Sequence, residues 1–303
     1  VWVSFLTSRR ERAFADQLDD SLQLMENSLR AGHNRAWSTS AGQQVATKTT
    51  FTEDEWARQN QIALTGEGSH GTFVHLYING LYWGLYNVAE RTDEEFGEAY
   101  FGGDEDDWFA INHDQEVKNG DPARWNYMID TLTTRDMSNS SNYAEMKEYL
   151  DVEQFADYLI GQFYAGVSDW PGNNWWAGGD LATNMPFKFF TWDAEYQMNS
   201  ALDHPIPNGA WVHPHFRNGA TGSGRHPIVK LWRSLVKSPE FKNLFADRAQ
   251  RAVTGALSDS AALARLDTLN NFIKDAVVGE SARWGDVLLS LIHISEPTRR
   301  YAI

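Results

Sequence analysis

Two short stretches of the chain decide its fold class: Val167–Trp176, which reads VSDWPGNNWW, and Phe189–Glu195, which reads FFTWDAE. The first is rich in turn-forming residues and places Asn174 five residues after Asp169. The second is an apolar run that ends in two acids, about twenty positions further on. The sequence thus predicts a loop that carries a carboxylate and an amide, followed by a strand that delivers acidic side chains.

Phosphoryl transfer to a hydroxyl group uses side chains of these types. Protein kinases have a catalytic-loop aspartate, an asparagine five residues later, and a metal-binding aspartate after the next pair of strands. One carboxylate lies near the attacking hydroxyl, and further oxygen ligands hold Mg²⁺ on the nucleotide phosphates. Asp169 is therefore the candidate catalytic residue, and Asn174, Asp193 and Glu195 are the candidate metal ligands.

These residues also have purely structural interpretations. Asp169 and Asn173 lie among turn-forming residues, so both could serve the turn alone. A carboxylate at the end of a buried strand, such as Asp193, is costly unless it is paired or binds metal. A salt bridge to an arginine is the alternative for that position.

The composition limits the possible partners. A net charge of −15 argues against binding to nucleic acid or to an anionic membrane. The sequence contains no cysteine, which excludes disulfides, cysteine–zinc sites and thiol catalysis in these 303 residues. No apolar run approaches the length of a membrane span. Thirteen tryptophans favour a rigid, aromatic-rich fold.

Both ends of the sequence suggest a fragment. The chain starts at Val1 rather than at a methionine, and Leu289–Arg299 reads like the translation of a sequencing adapter. We therefore expect one natural domain over residues 1–288, an adapter-derived tail over 289–303, and a bacterial signal peptide upstream of the first residue.

The remaining sequence predicts an α+β fold with a mostly helical C-terminal part. Strands over 72–78 and 81–87 flank Asn79-Gly80, which is a strong hairpin signal. Strands are also expected over 29–34, where a turn ends the strand, and over 187–192. Helices are predicted over about 14–29, 123–135, 142–165 with a break near Asp151, and 260–276. Capping boxes at Thr52 and Thr92 predict helices over 53–64 and 93–101. Ser238-Pro239 predicts the start of one more helix.

The hairpin and the blocks after it resemble the CotH (spore-coat protein H) kinase family. Tyr77–Tyr86, which reads YINGLYWGLY, is similar to the family's strand with Asn-Gly-x-Tyr-x-Gly-x-Tyr, and Ala89–Asp93 is similar to its Glu-basic-x-Asp ending. The Asp169 loop and the block Trp192–Glu195 resemble the next two family blocks in the same order. The resemblance covers about residues 27–288.

This resemblance implies an atypical protein-kinase-like fold of two lobes. Residues 1–90 would be a partial N-lobe that contains the hairpin, and residues 91–288 would be a mostly helical C-lobe. It implies a secreted or surface-located bacterial enzyme that uses ATP and Mg²⁺ to phosphorylate Ser or Thr on extracellular or spore-coat proteins.

The resemblance also implies roles for single residues. Asp169 would be the catalytic-loop acid, Asn174 and Asp193 would hold Mg²⁺, Asn173 would lie beside the nucleotide, and Glu90 would lie at the hinge or the nucleotide edge. The family's early strands carry a Gly-Asn-Ser-type turn and a Lys-rich strand that helps to hold phosphates. Neither is recognisable here, and we expect both upstream of the first residue.

One position departs from the family pattern: the second acid of the Trp-Asp-x-Asp block is Glu195 in this chain. Its side chain is longer by one methylene, so it either reaches the metal or supports a ligand that does.

Two other functions are compatible with the sequence. A pseudokinase that kept the fold would bind protein or polysaccharide through a tryptophan-rich face, with Trp170, Trp175 and Trp176 as a candidate sugar-stacking platform. A kinase for a small molecule or sugar would use the same catalytic residues, because acceptor specificity lies in loops whose sequence does not identify a substrate.

His213 and His215 flank a proline and have no third candidate metal ligand nearby in the sequence, so we interpret them as part of a surface loop.

Overall fold

The computed structural model describes residues 3–6, 27–31, 50–167, 169–197 and 226–285, and for residues 3–6 it describes the backbone only. Most of the helix predicted over 14–29, the two histidines of the His213–His215 segment and the tail over 289–303 lie outside the described residues.

The first antiparallel sheet contains the predicted hairpin. Its strands are β1 (Val3–Leu6), β2 (Asn27–Arg30), β3 (Gly71–Ile78) and β4 (Leu81–Glu90), in the order β1-β3-β4-β2. Asn79 and Gly80 have φ angles of 52° and 79°, the left-handed values that a two-residue type I′ turn requires. The hairpin is confirmed. Strand β2 overlaps the strand predicted from Leu29, but it begins at Asn27, within the range predicted to be helical.

The second antiparallel sheet lies beside the Asp169 loop. Its strands are β5 (Trp108–Asn112), β6 (Val117–Asn119), β7 (Trp175–Asp180) and β8 (Lys188–Thr191), in the order β6-β5-β7-β8. The sequence predicts only β8, because β5 and β7 are buried on both faces and lack the alternation that marks a half-exposed strand. Gly178 allows this packing, since a Cβ there would lie 2.8 Å from the carbonyl oxygen of Phe109.

Most helices of the described fold lie close to the expected positions, but the helices Pro227–Leu235 and Ala276–Trp284 were not predicted. They are α1 (Glu53–Thr65), α2 (Glu94–Phe101), α3 (Ala123–Asn126), α4 (Ser140–Tyr149), α5 (Val152–Ala165), α6 (Pro227–Leu235), α7 (Pro239–Thr254), α8 (Asp259–Ile273) and α9 (Ala276–Trp284). After α3 the chain continues through a π-helical turn and a 3₁₀ turn as far as Thr134. The break near Asp151 and the α+β class are confirmed.

The two predicted capping boxes are wrong in detail. Thr52 precedes α1, but its hydroxyl donates to Oδ1 of Asn270 at 3.2 Å and does not cap the helix. At α2 the cap is Asp93, one residue after Thr92, and its carboxylate accepts from the backbone N–H of Phe96 at 3.4 Å. The first error arises because a partner 218 residues away competes for the hydroxyl.

Helix α1 joins the two sheets. Its Trp56 belongs to a continuous cluster of buried side chains that includes residues of both sheets. Its Gln61 bonds directly to β8: Nε2 donates to the carbonyl of Phe189 at 2.7 Å, and Oε1 accepts from the backbone N–H of Thr191 at 2.6 Å. These bonds fix the strand that leads to Asp193.

A second amide side chain reinforces the same strand. Gln154 of α5 donates from Nε2 to the carbonyl of Phe189 at 2.6 Å and accepts from the backbone N–H of the same residue at 3.0 Å. Strand β8 is an edge strand of its sheet, so these glutamines take the place of a neighbouring strand.

Candidate active site

The loop between α5 and β7 is fixed by packing on the helix that precedes it. Helix α5 ends at Gly166 in a left-handed conformation with a φ of 62°. Trp170 is fully buried, and its indole N–H donates to the hydroxyl of Tyr158 in α5 at 2.7 Å. The indole N–H of Trp175 donates to the carbonyl of Pro171 at 3.1 Å. Buried tryptophans thus anchor the loop at both ends.

Asp169 and Asn174 interact across this loop. Nδ2 of Asn174 donates to Oδ2 of Asp169 at 2.7 Å, and Asn174 has a φ of 68°, a left-handed value that asparagine tolerates. The second carboxylate oxygen of Asp169, Oδ1, is buried and has no hydrogen-bond partner among the described residues. A buried acceptor without a partner costs about 1–3 kcal/mol, so this oxygen is suited to a ligand or a metal.

Asn173 has a different environment from Asn174. It is exposed, and its backbone N–H donates to the carbonyl of Asp169 at 3.1 Å, which is a contact within the turn. A nucleotide contact by its side chain stays a prediction.

Burial raises the pKa of Asp169 to about 6. Desolvation of the carboxylate is the largest cause, and the nearby negative charge of Asp193 acts in the same direction. A backbone hydrogen bond and the bond from Asn174 partly oppose both. Because β7 and β8 pair with Trp175 opposite Thr191, the Asp169–Asn174 loop and Asp193 lie at the same end of the second sheet.

Replacing Asp169 by asparagine is expected to stabilise the folded chain at pH 8. The carboxyl titrates at about 6 when folded and near 3.9 when unfolded, so stability falls as the pH rises between these values. An amide removes this effect. Allowing for solvent screening, we expect a Tm higher by about 2–4 °C at pH 8 and no gain at pH 4.

Thermal melts at the two pH values measure this difference. The control is Asp136→Asn, at an exposed aspartate whose pKa is lowered by hydrogen bonds from Ser138, and it should show no gain at pH 8. A lower Tm for Asp169→Asn at pH 8 would contradict the destabilisation that we assign to burial of the ionised Asp169 carboxylate.

Asp193 is paired with the first sheet. It follows β8 with a φ of 54°, and its carboxylate forms an ion pair with the guanidinium of Arg30 in β2. Nε of Arg30 also lies 3.1 Å from Oδ2 of Asp54 in α1. Burial raises the pKa of Asp193, Arg30 opposes this rise, and Asp54 adds to it. The side chain of Asp193 remains 33% exposed, so it is accessible to a ligand despite the ion pair.

A buried arginine holds Asp54 in place. Arg58 has no exposed surface, and its guanidinium contacts Oδ2 of Asp54 at 2.5 Å, Oδ1 of Asn87 at 2.5 Å, and the carboxylate of Glu55. The network therefore runs from α1 through Asp54 to Arg30.

Glu195 lies on the same side of the site as this network. It is 5% exposed and lines a small cavity of about 30 Å³ together with Arg30, Asp54 and Asn87. This location matches a supporting acid close to Arg30; direct contact with a metal stays a prediction.

The donor set is compatible with Mg²⁺ held by few protein ligands. Among the described residues, no group of three or more His, Asp or Glu side chains is arranged to hold a metal ion. Mg²⁺, however, is usually bound by one or two carboxylates together with water and substrate phosphates. The oxygens of Asp169, Asn174 and Asp193 are hard ligands of this type, and the partnerless Oδ1 of Asp169 supports the fit.

A family model described as CotH kinase protein matches residues 63–299. The chain belongs to the CotH kinase family. No curated protein matches it. The matched range includes the hairpin turn, the Asp169 loop and both acids after β8. It also extends past residue 288, so the expected boundary there stays a prediction. Within the described ranges, no helix has the length and apolar character needed to cross a membrane.

Membership of the CotH kinase family does not test the position of Glu90 at the hinge or the nucleotide edge, which stays a prediction. Its side chain is fully buried and accepts from the backbone N–H of His70 at 2.8 Å and from the hydroxyl of Tyr100 at 2.7 Å. Hydrogen bonding to Glu90 raises the pKa of His70. The hydroxyl of Ser69 donates to the Glu90 carbonyl at 2.6 Å. The side-chain and backbone oxygens of Glu90, at the end of β4, thus accept hydrogen bonds from neighbouring residues of the fold.

The proposed sugar-stacking platform is wrong. Trp170 and Trp175 have no exposed surface and Trp176 is 3% exposed, so none presents a ring face to a glycan. Two of them belong to the main core, and Trp176 packs in a smaller cluster with Phe96.

The structure adds two residues that the sequence reasoning missed, Arg30 and Asp54. Arg30 ends a four-residue strand without a recognisable motif, and Asp54 lies in a pattern that indicates helix capping. Only their contacts with each other and with Asp193 reveal them as part of the site.

Proposed function

We propose that this CotH-family chain is an ATP- and Mg²⁺-dependent protein kinase that phosphorylates Ser or Thr hydroxyls of extracellular or surface proteins. The observation that carries the proposal is that Asp169, Asn174 and Asp193 lie at one end of the second sheet, where a buried oxygen of Asp169 has no hydrogen-bond partner within the described ranges. The extracellular location and the class of acceptor rest on the family resemblance.

Asp169 would orient the acceptor hydroxyl and take its proton as the new P–O bond forms. A carboxylate whose pKa is about 6 is ionised near neutral pH yet more basic than a solvated aspartate. The bond from Asn174 fixes one of its oxygens and leaves the other available.

Asn174 and Asp193 would hold the metal, with Glu195 as a supporting acid. When bound there, Mg²⁺ would supply positive charge that offsets the negative charge of the nucleotide phosphates. The contribution of the chain is positioning and electrostatic stabilisation in a partly buried site.

Arg30 would contact a nucleotide phosphate in addition to the Lys-rich strand that we expect upstream of the first residue. In protein kinases a strand lysine binds the phosphates and pairs with a helix glutamate. Here Arg30 of β2 pairs with Asp54 of α1 and also reaches Asp193. By this correspondence the first sheet with α1 forms the N-lobe, and the second sheet with α3–α9 forms the C-lobe.

Replacing Arg30 by methionine is expected to lower kcat/KM for ATP by about 10- to 100-fold, since it removes a charged hydrogen bond worth about 1.5–3 kcal/mol. Steady-state kinetics measure the effect. The matched control is Arg135→Met, whose ion pair with Glu145 is formed by residues of the helical C-terminal part. Equal kinetics for the two variants would rule out a phosphate contact by Arg30.

The direct test is Mg²⁺-dependent transfer of labelled γ-phosphate from ATP to a mixture of surface proteins and, separately, to sugars and small alcohols. We expect label on protein and a rise in Tm with Mg²⁺ and ATP. Label on small molecules alone would reassign the acceptor. Neither label nor a Tm shift would favour the non-catalytic binding module, whose surface would have to exclude the three buried tryptophans.

A further inference from the structure

One histidine lies at the same end of the second sheet as the proposed catalytic residues. Strand β5 pairs with β7 so that Asn112 is opposite Trp176, and β7 pairs with β8 so that Trp175 is opposite Thr191. His113, which follows β5, therefore lies at the edge where Asn174 precedes β7 and Asp193 follows β8.

The turn that carries His113 is held rigidly. Oδ1 of Asn112 accepts from the backbone N–H groups of Asp114 and Glu116, each at 3.1 Å, and the carbonyl of Asn112 accepts from the backbone N–H of Gln115 at 2.9 Å. The imidazole is thus presented from a fixed backbone, which is the condition for a defined contact with a ligand.

Only one of the two ring nitrogens of His113 has a polar neighbour among the described residues. Nε2 lies 3.5 Å from Oδ2 of Asp114, while Nδ1 is buried and has no hydrogen-bond partner among the described residues. The ring lies close enough to Asp193 that a positive charge on it would oppose the raised pKa of Asp193. The site therefore contains two buried polar atoms that have no hydrogen-bond partner among the described residues, an oxygen of Asp169 and a nitrogen of His113.

We propose that His113 is a phosphate-contacting residue of this site, whose Nδ1–H donates to a phosphate oxygen of the bound Mg²⁺–nucleotide. An Nδ1 that carries a proton can donate to a phosphate oxygen, and a hydrogen bond to a charged acceptor is stronger than one between neutral groups. This inference rests on the proposed kinase function. It assigns to the turn between β5 and β6 a part in nucleotide binding that no sequence motif marks.

The test compares nucleotide and nucleoside binding to the 303-residue chain by calorimetry. With Mg²⁺ present, His113→Ala and His113→Gln are expected to weaken binding of a non-hydrolysable ATP analogue about 10-fold or more, while binding of adenosine, which has no phosphate, is unchanged. The control is His75→Gln, at a hairpin histidine that contacts Tyr82 at 3.3 Å, and it should change neither.

The outcomes separate this inference from the proposed function. Equal weakening of adenosine and nucleotide would show a structural role for His113 and overturn the inference. Tight nucleotide binding by the wild type and unchanged binding by both His113 variants would overturn it alone. No nucleotide binding by the wild type would overturn the proposed function together with it.

Discussion

Replacing Asp193 by asparagine is expected to lower kcat/KM for phosphoryl transfer by about 10²- to 10³-fold while leaving the fold intact. The change removes the charge that would hold Mg²⁺, but asparagine keeps the size of the side chain. Asparagine also tolerates the left-handed φ of 54° at this position, so the backbone after β8 should not move.

Steady-state transfer at several Mg²⁺ concentrations measures this effect, and a higher Mg²⁺ requirement in the variant would assign the loss to metal binding. The matched control is Asp247→Asn, which removes a carboxylate that is 57% exposed and paired with Arg251 on the surface of α7. A variant at Asp193 that transfers phosphate as fast as this control would remove Asp193 from the mechanism.

Replacing Arg58 by methionine is expected to lower the free energy of unfolding by about 3–5 kcal/mol. Arg58 has no exposed surface and pairs with Asp54 and Glu55, which are themselves buried. Methionine fills much of the volume but leaves Glu55 without its cation and leaves Asp54 with Arg30 alone. Loss of this pairing would also release Asp54 from its contact with Arg30, so activity should fall with stability.

Urea denaturation measures this loss. The control is Arg251→Met, which removes the exposed ion pair with Asp247 and should lower the free energy of unfolding by less than about 1 kcal/mol. Burial acts to raise the pKa of Asp54, but Arg58 and Arg30 outweigh it and hold this pKa below its ordinary value. The loss should therefore shrink as the pH falls and Asp54 is protonated. An Arg58 variant as stable as the control would mean that the two carboxylates find other partners.

These two predictions concern the two ends of one connected network. Arg58 forms an ion pair with Asp54, Asp54 forms a second one with Arg30, and Arg30 forms a third with Asp193. Helix α1 thereby couples the interior of the first sheet to the strand end that carries the proposed metal ligand. A change in the position of α1 would alter the site even though α1 contains none of the residues that would touch the metal.

Local patterns predicted those parts of the fold whose signals lie within a few residues. The Asn79-Gly80 turn has the left-handed backbone that its residues predict. The helices that periodicity and turn residues predicted lie close to their expected positions, whereas α6 and α9 were not predicted. Strands β5 and β7 escaped prediction because a strand buried on both faces shows no alternation. The cap at Thr52 failed because the competing partner is remote in sequence.

The sequence by itself determined which residue types are available for chemistry: an Asp–Asn loop, an acid after a buried strand, and the family to which they belong. Only the tertiary structure decided their environment. Burial sets the pKa of Asp169 at about 6, ion pairing joins Asp193 to Arg30, and packing of Trp170 and Trp175 into the core removes them as a binding face. The reason is physical: solvation and charge pairing depend on distances between residues that are far apart in the chain, and local patterns contain no information about those distances.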